Sequence, residues 1–403
     1  MSLVGILCLV YAGILLLHAR RVIKDNHLKL VAREKPQNVA VLIAAREESA
    51  VIEGLLKSLE KQTWKINSKD IYVIVERRDD PTVEICRRHG NTVVLREDLK
   101  KQRKGFALDD AVRQILKSDR HYDAYFIFDA DNILEPDYIA KMLECYSMGY
   151  DLATGYRNSK NANANVIAAV SSLTFSMINV MSNHRRLKYD ANIIFSGTGY
   201  FVTGDLIEEW QGWPFRSLTE DYEISLYATL HGLKTFYNED AMFYDEQPTK
   251  FGQTVAQRMR WVKGYFAARH KYIPLLRVRK RGWNLGSMRK ECVGVKPAIW
   301  AVIGILCILV GLSIDLCMMG WGSWLPWGIL GIVMVVYVVL AVVTVIMIRR
   351  EKTEFTPAIK VQAVLFNPIY LVTYIPCALM AIFSKNVTWK KIEHGGQDRK
   401  FIN

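Results

Sequence analysis

Two carboxylates one residue apart, Asp129 and Asp131, directly follow the apolar run at 125–128. Because a short apolar run of this kind is typical of a buried strand, both carboxylates can face one hard cation at the strand end. Mg²⁺ and Mn²⁺ commonly bind one or two protein carboxylates and complete their coordination with substrate phosphates. An Asp-x-Asp sequence is also frequent in ordinary turns, so it predicts a metal and phosphate site only together with partners elsewhere in the chain.

A second acidic motif, Thr219-Glu220-Asp221, opens a segment of helical spacing that ends at Gly232. A threonine N-cap and two acids in the first turn are ordinary helix features, because they complement the helix dipole. In the functional alternative one carboxylate is a general base, which takes the proton from an acceptor hydroxyl as that hydroxyl attacks. The residues alone leave both interpretations open.

A third motif, Gln257-Arg258-Met259-Arg260-Trp261, lies near the border where a charged sequence gives way to apolar segments. A guanidinium group pairs with phosphate oxygens, and a flat indole ring stacks on the apolar face of a pyranose. The motif therefore indicates binding of a sugar and a diphosphate close to a membrane.

Two further groups stand at the ends of predicted elements. Glu76 ends a predicted strand and can accept hydrogen bonds from a nucleobase N–H, although a solvated charged loop is the alternative. Lys101, Arg103 and Lys104 precede a predicted helix that begins at Gly105. Positive side chains at a helix N-terminus suit a diphosphate, and a solvated basic turn is the alternative.

The elements that must position these residues alternate between strand and helix. The order β-α-β-α predicts an α/β fold with a mostly parallel sheet flanked by helices, whose ligands bind at the carboxyl ends of the strands. The candidate residues lie at those ends. The predicted elements are strand 39–44, helix 47–61, strand 71–75, helix 82–89, strand 92–95, helix 105–116 and strand 124–128.

The composition places this domain beside a membrane. With 51% hydrophobic residues, a net charge of +13 and a mean hydropathy of +0.06 over 403 residues, the chain is too apolar for an ordinary soluble enzyme and too charged for a pure membrane bundle. Because basic residues follow the first apolar run, we predict an uncleaved anchor and a cytosolic middle domain. The four apolar runs cover residues 3–17, 297–319, 325–348 and 361–384.

The last two runs differ in their predicted topology. Arg349 and Arg350 after the third run indicate a cytosolic end, so the second and third runs form a hairpin. The fourth run contains Pro368 and Pro376 and precedes a basic tail, which favours a broken or re-entrant helix.

The basic residues between 269 and 290 alternate with aromatic and aliphatic ones, which favours binding to an anionic membrane surface over binding to nucleic acid.

These features divide the chain into five predicted segments. They are an N-terminal transmembrane anchor over 1–22, a cytosolic catalytic domain over 23–255, an amphipathic membrane-interface segment over 256–295, a C-terminal transmembrane region over 296–385 and a basic tail over 386–403.

The motifs occur in a characteristic order along residues 39–265, from Ala44-Ala45-Arg46-Glu47-Glu48 to the Gln-x-x-Arg-Trp run. This series, with apolar segments on both sides, resembles the membrane-embedded, processive family 2 glycosyltransferases, the group that holds cellulose, hyaluronan, chitin and poly-N-acetylglucosamine synthases. The resemblance implies a GT-A fold with interfacial helices and α-helical transmembrane segments. Two departures concern the nucleobase contact: Glu76 replaces the usual Asp, and Glu47 stands where many relatives have Asn.

The resemblance also implies a role for each motif residue. Asp221 becomes the base within the motif that Thr219 and Glu220 complete, and Glu76 takes the place of a uracil-binding Asp. The implied sets are Asp129 and Asp131 for the metal; Ala44, Glu48, Glu76, Lys104, Asp129, Gln257 and Arg260 for the nucleotide and diphosphate; and Trp261, Ser196, Gly197 and Thr198 for the acceptor.

The function implied is a processive inverting transfer of a hexose from a UDP-sugar, with Mg²⁺ or Mn²⁺, to a growing polysaccharide that is translocated across the plasma membrane. We favour a β-glucan made from UDP-glucose, since no second sugar-binding domain is visible. The alternatives are a UDP-N-acetylglucosamine-dependent poly-N-acetylglucosamine or hyaluronan-like synthase and a non-processive glycosyltransferase with a lipid acceptor. Expected partners are the UDP-sugar, the polysaccharide and the lipid bilayer, with a homo-oligomer or an accessory secretion subunit left open and nucleic acid excluded.

Overall fold

The computed structural model describes residues 30–188, 191–279 and 325–384, together with isolated residues of the segments 6–13 and 307–318. The strands predicted at 39–44, 71–75 and 92–95 have those bounds, and the fourth strand extends by one residue to Asp129. The eight strands are β1 Val39–Ala44, β2 Ile71–Val75, β3 Thr92–Leu95, β4 Ala124–Asp129, β5 Ile133–Leu134, β6 Leu152–Ser159, β7 Tyr200–Thr203 and β8 Thr235–Asp245.

The eight strands found among the described residues form one sheet in the order β3-β2-β1-β4-β7-β6-β8-β5. The first half, β3-β2-β1-β4, is entirely parallel, and β6 also pairs with β8 in parallel. The antiparallel pairs are β4 with β7, β6 with β7 and β5 with β8. The prediction of a mostly parallel sheet flanked by helices is therefore confirmed.

The parallel half brings three predicted site residues to one edge. Ala44 is in register with Asp129 of β4 and with Ile74 of β2, so Glu76 at the end of β2 lies close by. The central strands are apolar on both faces because helices cover both sides of the sheet. Polar side chains can therefore gather only at the strand ends.

The helices agree with the predicted pattern but start later at the first site. The helix predicted at 47–61 begins at Ile52, and Glu47 adopts the left-handed conformation with φ 58°. The helices are α1 Ile52–Glu60, α2 Pro81–Arg88, α3 Lys104–Leu116, α4 Tyr138–Ser147, α5 Val166–Ser176, α6 His184–Lys188, α7 Gly204–Trp210, α8 Glu220–His231, α9 Phe251–Arg279, α10 Leu325–Arg350, α11 Pro357–Val372 and α12 Tyr374–Phe383, with a π-helix at Met177–Asn183 between α5 and α6.

Among the described residues, three helical segments are long and apolar enough to cross a membrane: Val166–Lys188, Pro326–Arg350 and Pro357–Ala381. The last two overlap the third and fourth apolar runs of the sequence. The first lies inside the predicted cytosolic domain and was not anticipated. Its most apolar window is 61% buried, against 6% for Pro326–Arg350, so it packs within the protein while α10 presents its side chains outward.

The apolar helix α5 joins the predicted catalytic domain to α10 and α11, two of the three membrane-type helices α10–α12. Ala169 and Leu173 of α5 pack in one buried cluster with Met347 of α10 and with Ile359 and Ala363 of α11. The shared apolar core explains why Val166–Lys188 is more hydrophobic than its position in a sheet-containing domain requires.

The connection between α10 and α11 is fixed to the sheet by polar contacts. Thr353 Oγ1 donates to Asn158 Oδ1, and Asn163 accepts from the Thr356 amide at 2.8 Å and donates to the Glu354 carbonyl at 2.7 Å. The C-terminal end of α10 and the N-terminal end of α11 therefore lie next to the predicted catalytic domain.

The fourth apolar run forms two helices that meet at Thr373. Pro376 has no amide hydrogen to donate to the carbonyl of Val372, four residues earlier, and its ring clashes with that carbonyl. The interruption at Thr373 therefore lies within the turn before the proline. The structure thus places a break in this run, as predicted, but the break is one residue long.

The predicted interface segment is part of a longer helix. Helix α9 begins at Phe251, five residues before the predicted segment, and continues through Pro274 to Arg279. The rest of that segment, the basic tail and most of the first and second apolar runs lie outside the described residues.

Candidate active site

A cavity of about 670 Å³ opens at the carboxyl ends of β1, β2 and β4 and extends to helices α5, α9 and α12. Every predicted site residue except Thr198 lines it. From the nucleotide and metal sets these are Ala44, Glu48, Glu76, Lys104, Asp129, Asp131, Gln257 and Arg260, and from the catalytic and acceptor sets Thr219, Glu220, Asp221, Ser196, Gly197 and Trp261.

Thr198 lies behind the wall of the cavity, so its side chain is not positioned for the predicted contact with the acceptor. Its side chain is fully buried, and Oγ1 accepts from the Asp129 amide at 2.8 Å and donates to Asn132 Oδ1. Asn132 Oδ1 also accepts from the Asp129 amide at 3.0 Å. Thr198 therefore orients the first carboxylate of the Asp-x-Asp pair instead of touching a sugar.

Lys104 links the acidic pair to residues 196–198, the predicted acceptor loop. Its Nζ donates to Asp129 Oδ1 at 2.5 Å and to the Gly197 carbonyl at 2.7 Å. Because Lys104 is the first residue of α3, the ammonium group also stands beside the positive end of a helix. A diphosphate placed here would meet both positive contributions.

Gly197 brings the acceptor loop against Asp221. Its backbone has φ 92°, and a Cβ atom built on it would lie 3.5 Å from Asp221 Oδ2. Any larger residue would be strained in this conformation and would point toward the carboxylate. Asp129, Lys104, Gly197 and Asp221 thus form one continuous line across the cavity.

Glu220 is buried and Asp221 is half-buried at the start of α8, and the pKa values of both are raised. Burial raises the pKa of Asp221, while the Tyr222 amide, which donates to Oδ1 at 2.8 Å, and Arg260 oppose that rise. Burial, and then the charge of Asp221, raise the pKa of Glu220 from 4.5 to about 8. With a pKa of about 8, Glu220 keeps its proton at pH 7.

Thr219 occupies the N-cap position of α8, as predicted, but its side chain makes no capping hydrogen bond. Helix α9 approaches it closely instead, since a Cβ atom built on Gly264 would lie 2.5 Å from Thr219 Oγ1. Gly264 is one turn beyond Trp261 on α9. This close approach holds the Gln-x-x-Arg-Trp motif against the Thr-Glu-Asp motif.

The two arginines of the third motif have different surroundings. Arg260 lines the cavity. Arg258 is fully buried on another face of α9, where Nη1 donates to Thr373 Oγ1 at 2.5 Å and to the Tyr370 carbonyl at 3.2 Å. Its guanidinium also lies 4.9 Å from the ring centre of Tyr374. Arg258 therefore ties α9 to the break between α11 and α12, a role that the motif alone did not indicate.

Trp261 is held by an aromatic and cationic stack. Its ring meets Phe175 edge to face at 5.6 Å, and the Arg157 guanidinium lies 3.6 Å from the Phe175 ring centre. Arg157 also pairs with Asp245, with Nε to Oδ2 at 2.7 Å, and donates to the Ser196 carbonyl. Arg157 thus connects strand β6 to the end of β8, to the Ser196 carbonyl and to the ring of Phe175.

Glu76 lies at the predicted place, and its carboxylate already meets two guanidinium groups. Arg46 Nε is 3.1 Å from one oxygen, and Arg96 Nη1 is 3.6 Å from the other. Arg96 also donates to the Lys101 carbonyl at 2.7 Å, so it fixes the segment that leads to Lys104. Glu76, Arg46 and Arg96 therefore form a cluster of paired charges at the place predicted for the nucleobase.

A buried ion pair supports the second carboxylate. Lys160 Nζ lies 3.2 Å from Glu246 Oε2, and both side chains are almost fully buried. Lys160 also donates to the Asp131 carbonyl at 3.1 Å, and the Glu246 amide donates to Asp131 Oδ2 at 3.2 Å. Asp131 is therefore positioned by residues at the ends of β6 and β8.

Several residues of the site were missed by the sequence analysis: Arg96, Arg157, Lys160, Phe175 and Glu246. Arg96, Lys160 and Glu246 directly follow strands β3, β6 and β8, whereas Arg157 lies within β6 and Phe175 within α5. The position of charged residues directly after strands could have indicated the first three, and no comparable signal marked the other two.

The family described as glycosyltransferase like family 2 matches residues 36–264, more than half of the chain. The chain belongs to glycosyltransferase like family 2. The matched residues include the strand ends, the acidic motifs and the whole Gln-x-x-Arg-Trp run, and all cavity-lining residues except Tyr265, Phe266 and Ala378 lie within the matched region.

Curated relatives of this family 2 chain include the protein named Probable glycosyltransferase YdaM of Bacillus subtilis (strain 168), 25% identical over 250 residues, which are 58% of this chain and 56% of that protein. Glucomannan 4-beta-mannosyltransferase 7 of Arabidopsis thaliana is 24% identical over 236 residues, 56% of this chain and 42% of that protein. The chain thus spans about half the length of the curated relatives it matches.

Among solved structures, the mannosyltransferase PcManGT from Pyrobaculum calidifontis, in complex with GDP-Man and Mn²⁺, is similar in fold. The TM-score is 0.58 at 14% identity, over 96% of this chain and 99% of that protein. The likeness in fold to this mannosyltransferase therefore covers nearly the whole chain.

Proposed function

We propose that this family 2 protein is an inverting membrane-bound glycosyltransferase that transfers hexose from a UDP-sugar, most simply UDP-glucose, to a growing β-linked polysaccharide. The observation that carries the proposal is the line Asp129, Lys104, Gly197 and Asp221 across one cavity. In this proposal the donor sugar lies between the phosphate-binding end at Asp129 and Lys104 and the carboxylate of Asp221.

The transfer step uses these groups in defined roles. The acceptor hydroxyl oxygen forms a bond to the anomeric carbon while the bond from that carbon to the diphosphate oxygen breaks. Asp221 acts as the general base that takes the hydroxyl proton, and the nucleoside diphosphate leaves with the electron pair. Lys104 and Arg260 neutralise the charge that develops on the leaving group. Attack opposite the leaving group gives a β-linked product from an α-linked donor.

The acidic pair suits Mg²⁺ or Mn²⁺. Asp129 and Asp131 present hard oxygen ligands to the cavity. Within the part of the chain that the structure describes, no cluster of three or more His, Cys, Asp or Glu could hold a metal ion. The remaining ligands would therefore be diphosphate oxygens and water, and the bound ion would stabilise the departing diphosphate.

The donor sugar and base form the finer part of the proposal. Glu76 with Arg46 and Arg96 would bind the uracil end, together with Ala44 and Glu48. GDP-mannose is the second candidate donor, because glucomannan mannosyltransferases are among the relatives and PcManGT holds GDP-Man. Both donors would use the same diphosphate site.

Polymer export and location complete the proposal. Helices α10–α12 pack directly on α5 and α9, so a product would leave the cavity beside membrane-type helices. Arg349 and Arg350 end α10 on the side of the predicted catalytic domain, which fits a cytosolic active site at the plasma membrane. These points support processive synthesis and translocation by a multi-pass enzyme.

The test is a donor panel. Purified protein in detergent, with Mg²⁺ or Mn²⁺, is incubated with radiolabelled UDP-glucose, UDP-N-acetylglucosamine and GDP-mannose, and the product is digested with linkage-specific hydrolases. The proposal predicts metal-dependent incorporation from UDP-glucose into a product that a β-glucanase degrades. Incorporation from GDP-mannose alone would overturn the donor assignment, and lack of transfer from every donor would overturn the function.

A further inference from the structure

The end of the cavity beyond Trp261 is walled by apolar side chains from α5, the π-helix, α9 and α12. Five of them contribute rings, branched chains or a methyl group: Phe175, Ile178, Val262, Phe266 and Ala378. The opposite end carries Glu76, Lys104 and the Asp-x-Asp pair. The cavity is therefore amphipathic along its length.

Two polar contacts place the membrane-type helix α12 along this apolar end. Arg258 holds the start of α12 through Thr373, and Lys263 Nζ donates to the Ser384 carbonyl just after its end at 2.6 Å. Ala378 lies midway between these attachment points and faces the cavity. Helix α12 belongs to the segment Pro357–Ala381, which is long and apolar enough to cross a membrane. One helix thus contributes Ala378 to the cavity and exposes Ile375, Leu379 and Met380 on its outer side.

This wall suits an alkyl chain better than a sugar chain. Each hydroxyl of a sugar unit needs a hydrogen-bond partner when it leaves water, and the five wall side chains offer none. Thr174, the neighbouring hydroxyl, already donates to the Val170 carbonyl within α5 at 3.3 Å. An alkyl chain, in contrast, gains free energy from burial against methyl groups and rings.

We propose that the apolar end binds the alkyl chain of an amphiphilic acceptor, a membrane lipid that carries a sugar, whose free hydroxyl faces Asp221. The proposal rests on the glycosyl transfer proposed above and specifies its acceptor. The alkyl chain lies along Ile178, Val262 and Ala378, the sugar lies over Trp261, and the transfer step is unchanged. A lipid glycoside of this kind can also serve as the first acceptor of a growing polysaccharide.

The experiment compares acceptors in lipid nanodiscs that contain the full chain. With the active donor, transfer is measured to cellobiose and to methyl, hexyl and decyl β-glucoside. We expect kcat/KM to rise with alkyl length by about threefold per methylene while the chain remains within the apolar end. Cellobiose should be the poorer acceptor.

Two substitutions separate binding in the cavity from simple partitioning into the bilayer. Ala378→Phe fills the apolar end, and we expect it to reduce transfer to decyl glucoside at least about tenfold relative to Met380→Phe. Met380 is exposed on the same helix and does not line the cavity, so Met380→Phe changes partitioning equally. Ile178→Ala enlarges this end and should shift the preferred alkyl length upward. Donor binding and thermal stability are measured for each variant.

The outcomes are distinct. A dependence on alkyl length that Ala378→Phe and Ile178→Ala both alter, and Met380→Phe does not, supports the proposal. Equal use of cellobiose and decyl glucoside, or identical alkyl dependence in all variants, overturns it and leaves the proposed glycosyl transfer intact. Absence of transfer to every acceptor overturns the proposed function as well.

Discussion

The two ends of the cavity are built in different ways. The proposed donor end consists of charged side chains at the ends of parallel strands, with Lys104, Asp129 and Glu76 joined to neighbours by ion pairs. The proposed acceptor end consists of helices that approach from remote parts of the chain, with Phe175 and Trp261 held by packing. Strand ends supply chemistry that a short motif can encode, whereas helix packing supplies a shape that depends on many distant residues.

The largest effect is expected from a substitution that disrupts the proposed donor end alone. Asp129→Asn removes one charge from the proposed metal site and from the pair with Lys104, and we expect metal-dependent transfer to fall about 10³-fold. Initial rates are measured across Mg²⁺ and Mn²⁺ concentrations. The control is Asp98→Asn, a partly exposed carboxylate that pairs with Lys101 on the loop before α3. Transfer within a factor of about ten of wild type would remove Asp129 from the metal site.

The second effect separates the two arginines of α9. Arg258→Met leaves Thr373 and two helix carbonyls without their buried donor, so we expect the free energy of unfolding to fall by about 2–3 kcal/mol. Arg260→Met should lower transfer instead and leave stability nearly unchanged, because Arg260 faces the cavity. Thermal unfolding in detergent and transfer rates are measured for both. Equal destabilisation by the two substitutions would contradict this division of roles.

The third effect concerns the acceptor end. Arg157→Lys keeps the charge but loses the two-point pairing with Asp245 and the stack on Phe175. We expect the acceptor KM to rise about tenfold, equivalent to about 1.4 kcal/mol, with the donor KM unchanged. Arg113→Lys, at a surface pair with Asp109, is the matched control. An increase in the donor KM instead would place Arg157 at the other end of the cavity.

The smallest effect at neutral pH tests the carboxylate pair. Because Glu220 keeps a proton at pH 7, Glu220→Gln should change the rate within about threefold there. The pKa of Glu220 is raised from 4.5 to about 8, so the folded protein holds a proton that the unfolded chain releases between these values. Stability should therefore fall as pH rises from about 4.5 to 8, and Glu220→Gln should remove that fall. Unfolding midpoints across pH check this, and an unchanged slope would count against it.

The donor end could be predicted from the sequence because its residues follow short apolar strands. The strands at 39–44 and 71–75 have the predicted bounds, and parallel pairing then brings Ala44, Glu76 and Asp129 to one edge. This step requires only hydrophobic patterning and the geometry of parallel sheets.

The acceptor end could not be predicted in the same way. Thr198 was assigned to the acceptor, but its hydroxyl is buried behind Asp129. Val166–Lys188 was included in the cytosolic domain, because nothing in its spacing shows that it packs on the membrane-type helices. Arg258 and Arg260 are two residues apart, and only the position of α11 and α12 decides which one is buried. Such features depend on tertiary packing between segments more than 100 residues apart.

The central claim is that Asp221 is the base at the junction of the two ends. The most direct measurement compares Asp221→Asn with wild type in metal-dependent sugar transfer and in UDP binding by the purified full chain. The account predicts that transfer falls by about 10³-fold while UDP binding stays nearly unchanged, since Asp221 lies across Gly197 from the diphosphate end. Transfer by Asp221→Asn at a rate close to wild type would contradict it.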